Sequence, residues 1–142
     1  MKVRITRRDP SVVLPARETA GAAGFDLAAS ADITIAPRSI ALVPTGLVIR
    51  VPDGYLLAVF ARSSTPLKRG LIVANGVGVI DSDYCGPDDE IKVQVYNLTD
   101  TPVDVKKGDR LAQGIFLKYD VPEWEEGEPS EKTRGGFGST GQ

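Results

Sequence analysis

Residues 91–97 read IKVQVYN. Apolar Ile91, Val93 and Val95 alternate with polar Lys92 and Gln94, the period-two pattern of a strand with one buried and one wet face. Working outward, short runs of the same kind recur on both sides. Upstream they are Ile33 to Ile35, Ile40 to Val43, Leu47 to Val51, Tyr55 to Ala61, Leu71 to Ala74 and Val77 to Ile80; downstream they are Val103 to Val105 and Leu111 to Tyr119. Each is rich in β-branched or aromatic residues. Turn chemistry separates them: in Pro52-Asp53-Gly54 proline presets φ and glycine is free to take φ > 0, and Lys107-Gly108-Asp109 is a similar turn. No long stretch has helical periodicity. The pattern predicts an all-β barrel or jelly-roll-like sandwich. One short helix is expected at 63–68, where Ser63-Ser64-Thr65 offers hydroxyl caps and Pro66 stands near the first helical position.

The 142 residues suffice for one domain with a real core. With 17 basic and 19 acidic side chains the net charge is −2, which argues against affinity drawn from neutralising a nucleic-acid backbone. No apolar run is long enough to span a bilayer. The N-terminus MKVRITRRDP is basic but no apolar region follows, so no secretory signal is read. Cys85 is the single cysteine, so no intrachain disulfide forms, and a reducing compartment, the cytoplasm, is the expected location. Histidine is absent, which excludes Ser-His-Asp and Cys-His catalysis and any His-ligated metal site.

Chemistry is sought first at residues 76–84, GVGVIDSDY. A β-type run ends there in Asp81, Ser82, Asp83 and Tyr84. A carboxylate at the end of a buried strand would be fixed and only partly solvated, as a general base requires. The same residues also suit a plain acidic turn. The expected helix at 63–68, with Arg62 just before it, offers either a phosphate seat or a capped surface turn. Composition shifts at Asp120. Residues 120–133, DVPEWEEGEPSEKT, read as an extended, mobile linker in which Trp124 is the one large apolar residue and a candidate surface anchor. Residues 134–142, RGGFGSTGQ, read either as a disordered end or as a flap. As a flap, Arg134 supplies charge, Ser139 and Thr140 supply hydrogen bonds, and Phe137 stacks on a flat ring.

Five ordered motifs together resemble the trimeric deoxyuridine triphosphate nucleotidohydrolase family, the dUTPases. They are AGFDLAA at 23–29, ARSSTP at 61–66, NGVGVIDSDYCG at 75–86, GDRLAQGIF at 108–116 and RGGFGSTG at 134–141. The resemblance implies a distorted jelly-roll β-barrel over 1–119, with the acidic linker at 120–133 and a mobile arm at 134–142 that closes the active site. It implies hydrolysis of dUTP to dUMP and pyrophosphate by water attack on the α-phosphorus. Such an activity limits uracil incorporation into DNA and supplies dUMP for thymidylate synthesis.

Residue roles are implied in the same way. Asp81 matches the catalytic aspartate that orders the attacking water. Tyr84 matches the residue beneath the deoxyribose. Asn75 and the hairpin backbone of Gly78, Val79 and Ile80 match the uracil-reading element. Arg62, Ser63, Ser64 and Gln113 match the phosphate contacts, and Asp26 matches a supporting first-motif aspartate. Arg134, Phe137, Gly138, Ser139 and Thr140 match the closing arm, with Phe137 over the uracil. Mg²⁺ bound through phosphates and water is implied, with no protein metal ligands. A homotrimer with sites at subunit interfaces is implied, with no nucleic-acid or membrane partner.

Three departures stand out. Ala61 and Ser64 replace the usual proline and glycine of the second motif. Pro87-Asp88-Asp89 lengthens the segment after the third, as a hairpin insertion away from the chemistry. Arg134 stands unusually close to Phe137, so Lys132 is an alternative cation for the γ-phosphate. Two rival readings share the fold. A dCTP deaminase, or a bifunctional enzyme, requires a glutamate where Gln94 stands, and glutamine cannot shuttle a proton. A non-catalytic nucleotide-sensing module would be expected to lack the base or the arm.

Overall fold

The computed structural model describes residues 1–129, 133 and 135. In chain order the strands are β1 (Arg4–Arg7), β2 (Phe25–Ala28), β3 (Ile33–Ile35), β4 (Ile40–Pro44), β5 (Leu47–Arg50), β6 (Tyr55–Ala61), β7 (Leu71–Val73), β8 (Gly78–Ile80), β9 (Lys92–Asn97), β10 (Val103–Val105) and β11 (Arg110–Lys118), with one helix, α1 (Ser64–Arg69), between β6 and β7. They form four small sheets, ordered β2-β11-β6-β8, β4-β9-β7, β1-β5 and β10-β3, and every pairing is antiparallel. The all-β expectation holds, and the predicted strands lie within a residue or so of those observed.

The alternation at 91–97 shows what drives the packing. Val93 and Val95 point inward and are almost fully buried, while Lys92, Gln94 and Tyr96 lie on the other face. They meet Leu27, Ile35, Leu47, Ile49, Leu57, Leu71, Val105 and Leu111 in one core. Removing that apolar area from water is the main stabilising term. The last inward position of β9 is polar. Asn97 is fully buried, yet its amide nitrogen donates to the carbonyls of Ile35, Ala36 and Thr101, and its oxygen accepts from the backbone and hydroxyl of Thr99. Every hydrogen-bonding site of that amide is used, so burial carries no unpaired polar group.

Three expectations are corrected. Strands β1 and β2 did not stand out in the sequence. β1 is an Arg-rich four-residue strand paired only with β5, and β2 is a short FDLA segment flanked by small residues. The hydroxyl cap of the helix is also absent. Ser63 occupies the N-cap position in an αR conformation with no side-chain cap hydrogen bond, and Pro66 is the third helical residue. The helix is held instead by buried Thr65, whose hydroxyl donates to the Leu111 carbonyl at 2.8 Å. It stops at Gly70, which takes φ 64° and donates its N–H to the Pro66 carbonyl. A Cβ at Gly70 would lie 2.3 Å from the Thr99 methyl, so this position is closed to side chains as well as left-handed.

The third correction concerns residues 71–80. β7 pairs with β9 and β8 pairs with β6, so the two arms of the expected hairpin belong to different sheets. The turn between them is tight, with Gly76 N–H donating to the Val73 carbonyl at 3.1 Å. Both arms are edge strands. Trp124 is 91% exposed, and no helix among the described residues is long and apolar enough to cross a membrane.

Candidate active site

The four-stranded sheet β2-β11-β6-β8 carries most of the candidate residues. Asp26 on β2 stands directly opposite Gln113 on β11, and Gln113 stands opposite Phe60 on β6. Arg62 follows the end of β6 and reaches across β11, placing its Nε 2.9 Å from Asp26 Oδ1. Gln113 donates its amide to the Ala61 carbonyl at 3.2 Å, which fixes the side chain beside Arg62.

Arg110, absent from the sequence-based set, joins this cluster. Its Nη1 lies 3.0 Å from Asp26 Oδ2 and also pairs with Glu18. In a regular strand, residues 110 and 113 point to opposite faces. The β2–β11 register slips by one residue between Arg110 and Ala112, and this bulge brings Arg110 to the Gln113 side. Asp26 Oδ2 is buried and makes no hydrogen bond, so its contact with Arg110 is ionic and poorly aligned. The basic residue within GDRLAQ was the available signal for Arg110. Nothing in the sequence marked Glu18.

Glu18, Ala22, Gly24, Asp26, Arg62, Ser63 and Gln113 line a polar cleft of about 210 Å³. Because Ser63 makes no helix cap, its hydroxyl is free for this cleft. Arg62 also borders a second cleft of about 310 Å³ with Ser64, Thr65, Lys68, Arg69, Gly108, Asp109 and Arg110. Four cations there face one carboxylate. Asp109 takes Arg69 at 2.7 Å and the Lys106 N–H at 2.8 Å. The hydrogen bond from Arg69 holds its carboxyl below the ordinary carboxylate range, against the opposing effect of desolvation. The six-residue α1 carries only a small dipole, so the positive potential here comes from side chains rather than from its N-terminus. A third cleft, lined by Val3, Ile5, Leu14, Pro15, Phe25, Ile49 and Phe116 with Arg17, is apolar and offers a phosphate chain little.

The other candidates lie elsewhere on the chain. Gly78, Val79 and Ile80 pair with Val59, Ala58 and Leu57, so β8 runs away from the Arg62 end of β6. Asp81 continues past that far end. Extending the register sets Asp81 opposite Leu56, six positions from Arg62, about 20 Å at strand rise. Asp81 is exposed, not partly shielded as its place after a β-run predicts. Its carbonyl accepts the Tyr84 N–H at 3.3 Å, and Tyr84 donates its hydroxyl to the Glu90 carbonyl at 3.2 Å. Asn75 is exposed in the turn before β8. The Pro87-Asp88-Asp89 segment closes a small loop, with Gly86 N–H donating to Asp89 Oδ2 at 2.7 Å, and it packs beside Thr6, Arg8 and Val48 rather than forming a hairpin. Arg134, Phe137, Gly138, Ser139, Thr140 and Lys132 lie outside the described residues.

Among the described residues, no group of three or more carboxylates or cysteines could hold a metal ion. Glu18 and Asp26, the carboxylates of the smaller cleft, are both engaged by arginine. The donor set therefore fits Mg²⁺ carried on phosphates and water, the usual habit of this ion, better than a protein cage.

An antiparallel β-fold that gathers Arg62, Ser63 and Gln113 in one polar cleft, with Arg110 held nearby on Asp26, has the donor set that suits a phosphate-bearing ligand. The comparisons with known proteins narrow this class. A sequence model of the dUTPase family matches residues 11–141. A deoxyuridine 5'-triphosphate nucleotidohydrolase of Desulfitobacterium hafniense is 48% identical over 147 residues, covering 99% of this chain and 95% of the relative. One from Lactococcus lactis is 40% identical over 149 residues, covering 99% of both. The crystal structure of the dUTPase from Streptococcus mutans superposes with a TM-score of 0.79 at 38% identity, covering 87% of this chain and 100% of that one. The chain belongs to the dUTPase family.

Proposed function

We propose that the chain hydrolyses dUTP to dUMP and pyrophosphate, with water attacking the α-phosphorus. The observation that carries this reading is the cleft where Arg62, held by Asp26, stands with Ser63 and Gln113. Phosphoryl transfer depends on positioning and charge neutralisation more than on covalent chemistry. Arg62 spreads positive charge over the phosphate chain, and Ser63 and Gln113 donate hydrogen bonds to it. The chemistry Mg²⁺ supplies when bound is further neutralisation of the phosphates. Asp81 orients and polarises the water. Tyr84 packs beneath the deoxyribose, where a 2′-hydroxyl would clash. The open edges of β7 and β8 leave backbone donors and acceptors for the uracil. The arm residues Arg134, Phe137, Gly138, Ser139 and Thr140 close the site, with Phe137 over the base.

The separation of Asp81 from Arg62 supports assembly of the site between subunits. Neither group can move about 20 Å along a hydrogen-bonded strand, so Asp81 of one chain serves the phosphate cleft of another. A homotrimer with three interface sites satisfies this requirement by rotational symmetry.

The test is quantification of pyrophosphate from dUTP and Mg²⁺, with dCTP, dTTP and UTP as controls. Release from dUTP alone is expected, and no release overturns the proposal. Asp81→Asn is expected to lose about two to four orders of magnitude in kcat while still binding a non-hydrolysable dUTP analogue. Ammonia released from dCTP would favour the deaminase.

A further inference from the structure

The charged row where the two clefts meet is electrically balanced. Glu18, Arg110, Asp26 and Arg62 form a line of alternating charges in which two guanidiniums meet two carboxylates. A phosphate chain entering such a cleft gains little until one carboxylate leaves. The two carboxylates are not equivalent. Asp26 lies within β2, its side chain is 13% exposed, and it holds both arginines. Glu18 is 59% exposed, pairs with Arg110 alone, and sits on a turn outside the sheet.

That turn is built to be independent. Arg17 donates to the carbonyls of Ala20 and Ala22 at 3.2 and 3.3 Å, and Ala22 N–H donates to the Thr19 carbonyl at 3.1 Å. None of these bonds involves the Glu18 side chain. Swinging Glu18 away from Arg110 therefore breaks one exposed ion pair and leaves the turn closed.

We propose that Glu18 is an internal competitor for the phosphate chain: it occupies Arg110 when the cleft is empty, and the substrate's phosphates displace it. Arg110 thereby becomes a further phosphate-binding residue, and Glu18 sets the affinity of the cleft for polyphosphate. This rests on the reading of the cleft as the phosphate site. An exposed pair contributes up to about 1 kcal/mol, so the competition weakens phosphate binding by about two- to fivefold.

The experiment is calorimetric titration of the full chain with pyrophosphate, with and without Mg²⁺, beside steady-state kinetics on dUTP. Glu18→Gln is expected to tighten pyrophosphate binding about two- to fivefold and to lower KM for dUTP by a similar factor. Glu18→Asp keeps the charge but shortens the reach to Arg110. It is expected to tighten binding as well, because the contact matters rather than the field. Unchanged affinity in Glu18→Gln, or Glu18→Asp behaving as wild type, overturns the proposal. Weaker binding of Glu18→Gln only in the presence of Mg²⁺ would make Glu18 a metal ligand and also overturn it. Pyrophosphate titration needs no turnover, so an inactive wild-type chain that still shows this response would refute the hydrolase reading alone.

Discussion

Arg62 and Asp26 meet at 2.9 Å across the width of β11, and this ion pair fixes where the Arg62 guanidinium stands in the cleft. Asp26 also restrains Arg110. Replacing it by Asn removes the charge that holds two guanidiniums side by side. Asp26→Asn is expected to lower kcat/KM for dUTP about ten- to a hundredfold through misplaced phosphate contacts, and to cost about 1–3 kcal/mol of stability. Kinetics and urea melts on the same preparation check both figures. An active variant with an unshifted melt would remove Asp26 from the positioning of Arg62.

Asn97 is the polar centre of an apolar core. Its amide joins the ends of β3 and β9 to the loop leading into β10. Truncation takes the amide donor from the Ile35 and Ala36 carbonyls, leaves Thr101 with the Thr99 hydroxyl alone, and opens a small void. Asn97→Ala is expected to cost about 2–4 kcal/mol in urea denaturation. A shift no larger than that of an exposed alanine substitution would show that water replaces the amide at no cost.

Acid stability offers a third check. The Asp109 carboxyl is held below its ordinary value, first by the hydrogen bond from Arg69. A lowered folded-state value means that its stabilisation is fully present above the unfolded carboxylate range, near pH 4, and is lost as pH falls through the lowered value. Asp109→Asn is therefore expected to be less stable than wild type at pH 7, by about 0.5–1 kcal/mol given the partial exposure of the pair. The gap should shrink in acid. Melting temperatures from pH 7 down to 2.5 measure it, and a gap that widens on acidification contradicts the assignment.

Removal of residues 134–142 separates closure from assembly. The shortened chain is expected to keep the oligomeric state of the full chain by light scattering while losing most dUTP turnover. Collapse to monomers would make the segment structural.

The strand pattern was legible because alternation in runs such as Ile91 to Val95 is a local signal. β1 was not, because Arg4 and Arg7 obscure its alternation and its one partner is distant in sequence. The phosphate motif residues Arg62, Ser63 and Gln113 could be read as a family resemblance, and the structure gathers them at one cleft. Arg110 escaped because only a bulge, formed against a partner strand, turns it to that face. Ser63 was misread as a cap because the true determinants of α1 are the Thr65 bond to Leu111 and Gly70 beside Thr99, contacts made at long range. The distance of Asp81 from Arg62 was equally hidden, since it depends on the direction of β8 against β6.

The β2–β11 pairing also sets an order of events during synthesis. Asp26 is made well before its partners on β11, with eight other strands and the helix between them. Closing so long a loop is slow and cannot begin until β11 has left the ribosome. The nascent chain thus lacks the Asp26–Arg110 and Asp26–Gln113 juxtaposition while its earlier strands are being made. A ligand of this cleft can therefore stabilise the chain only after β2 and β11 have met, and it acts on the late step of folding rather than the early ones.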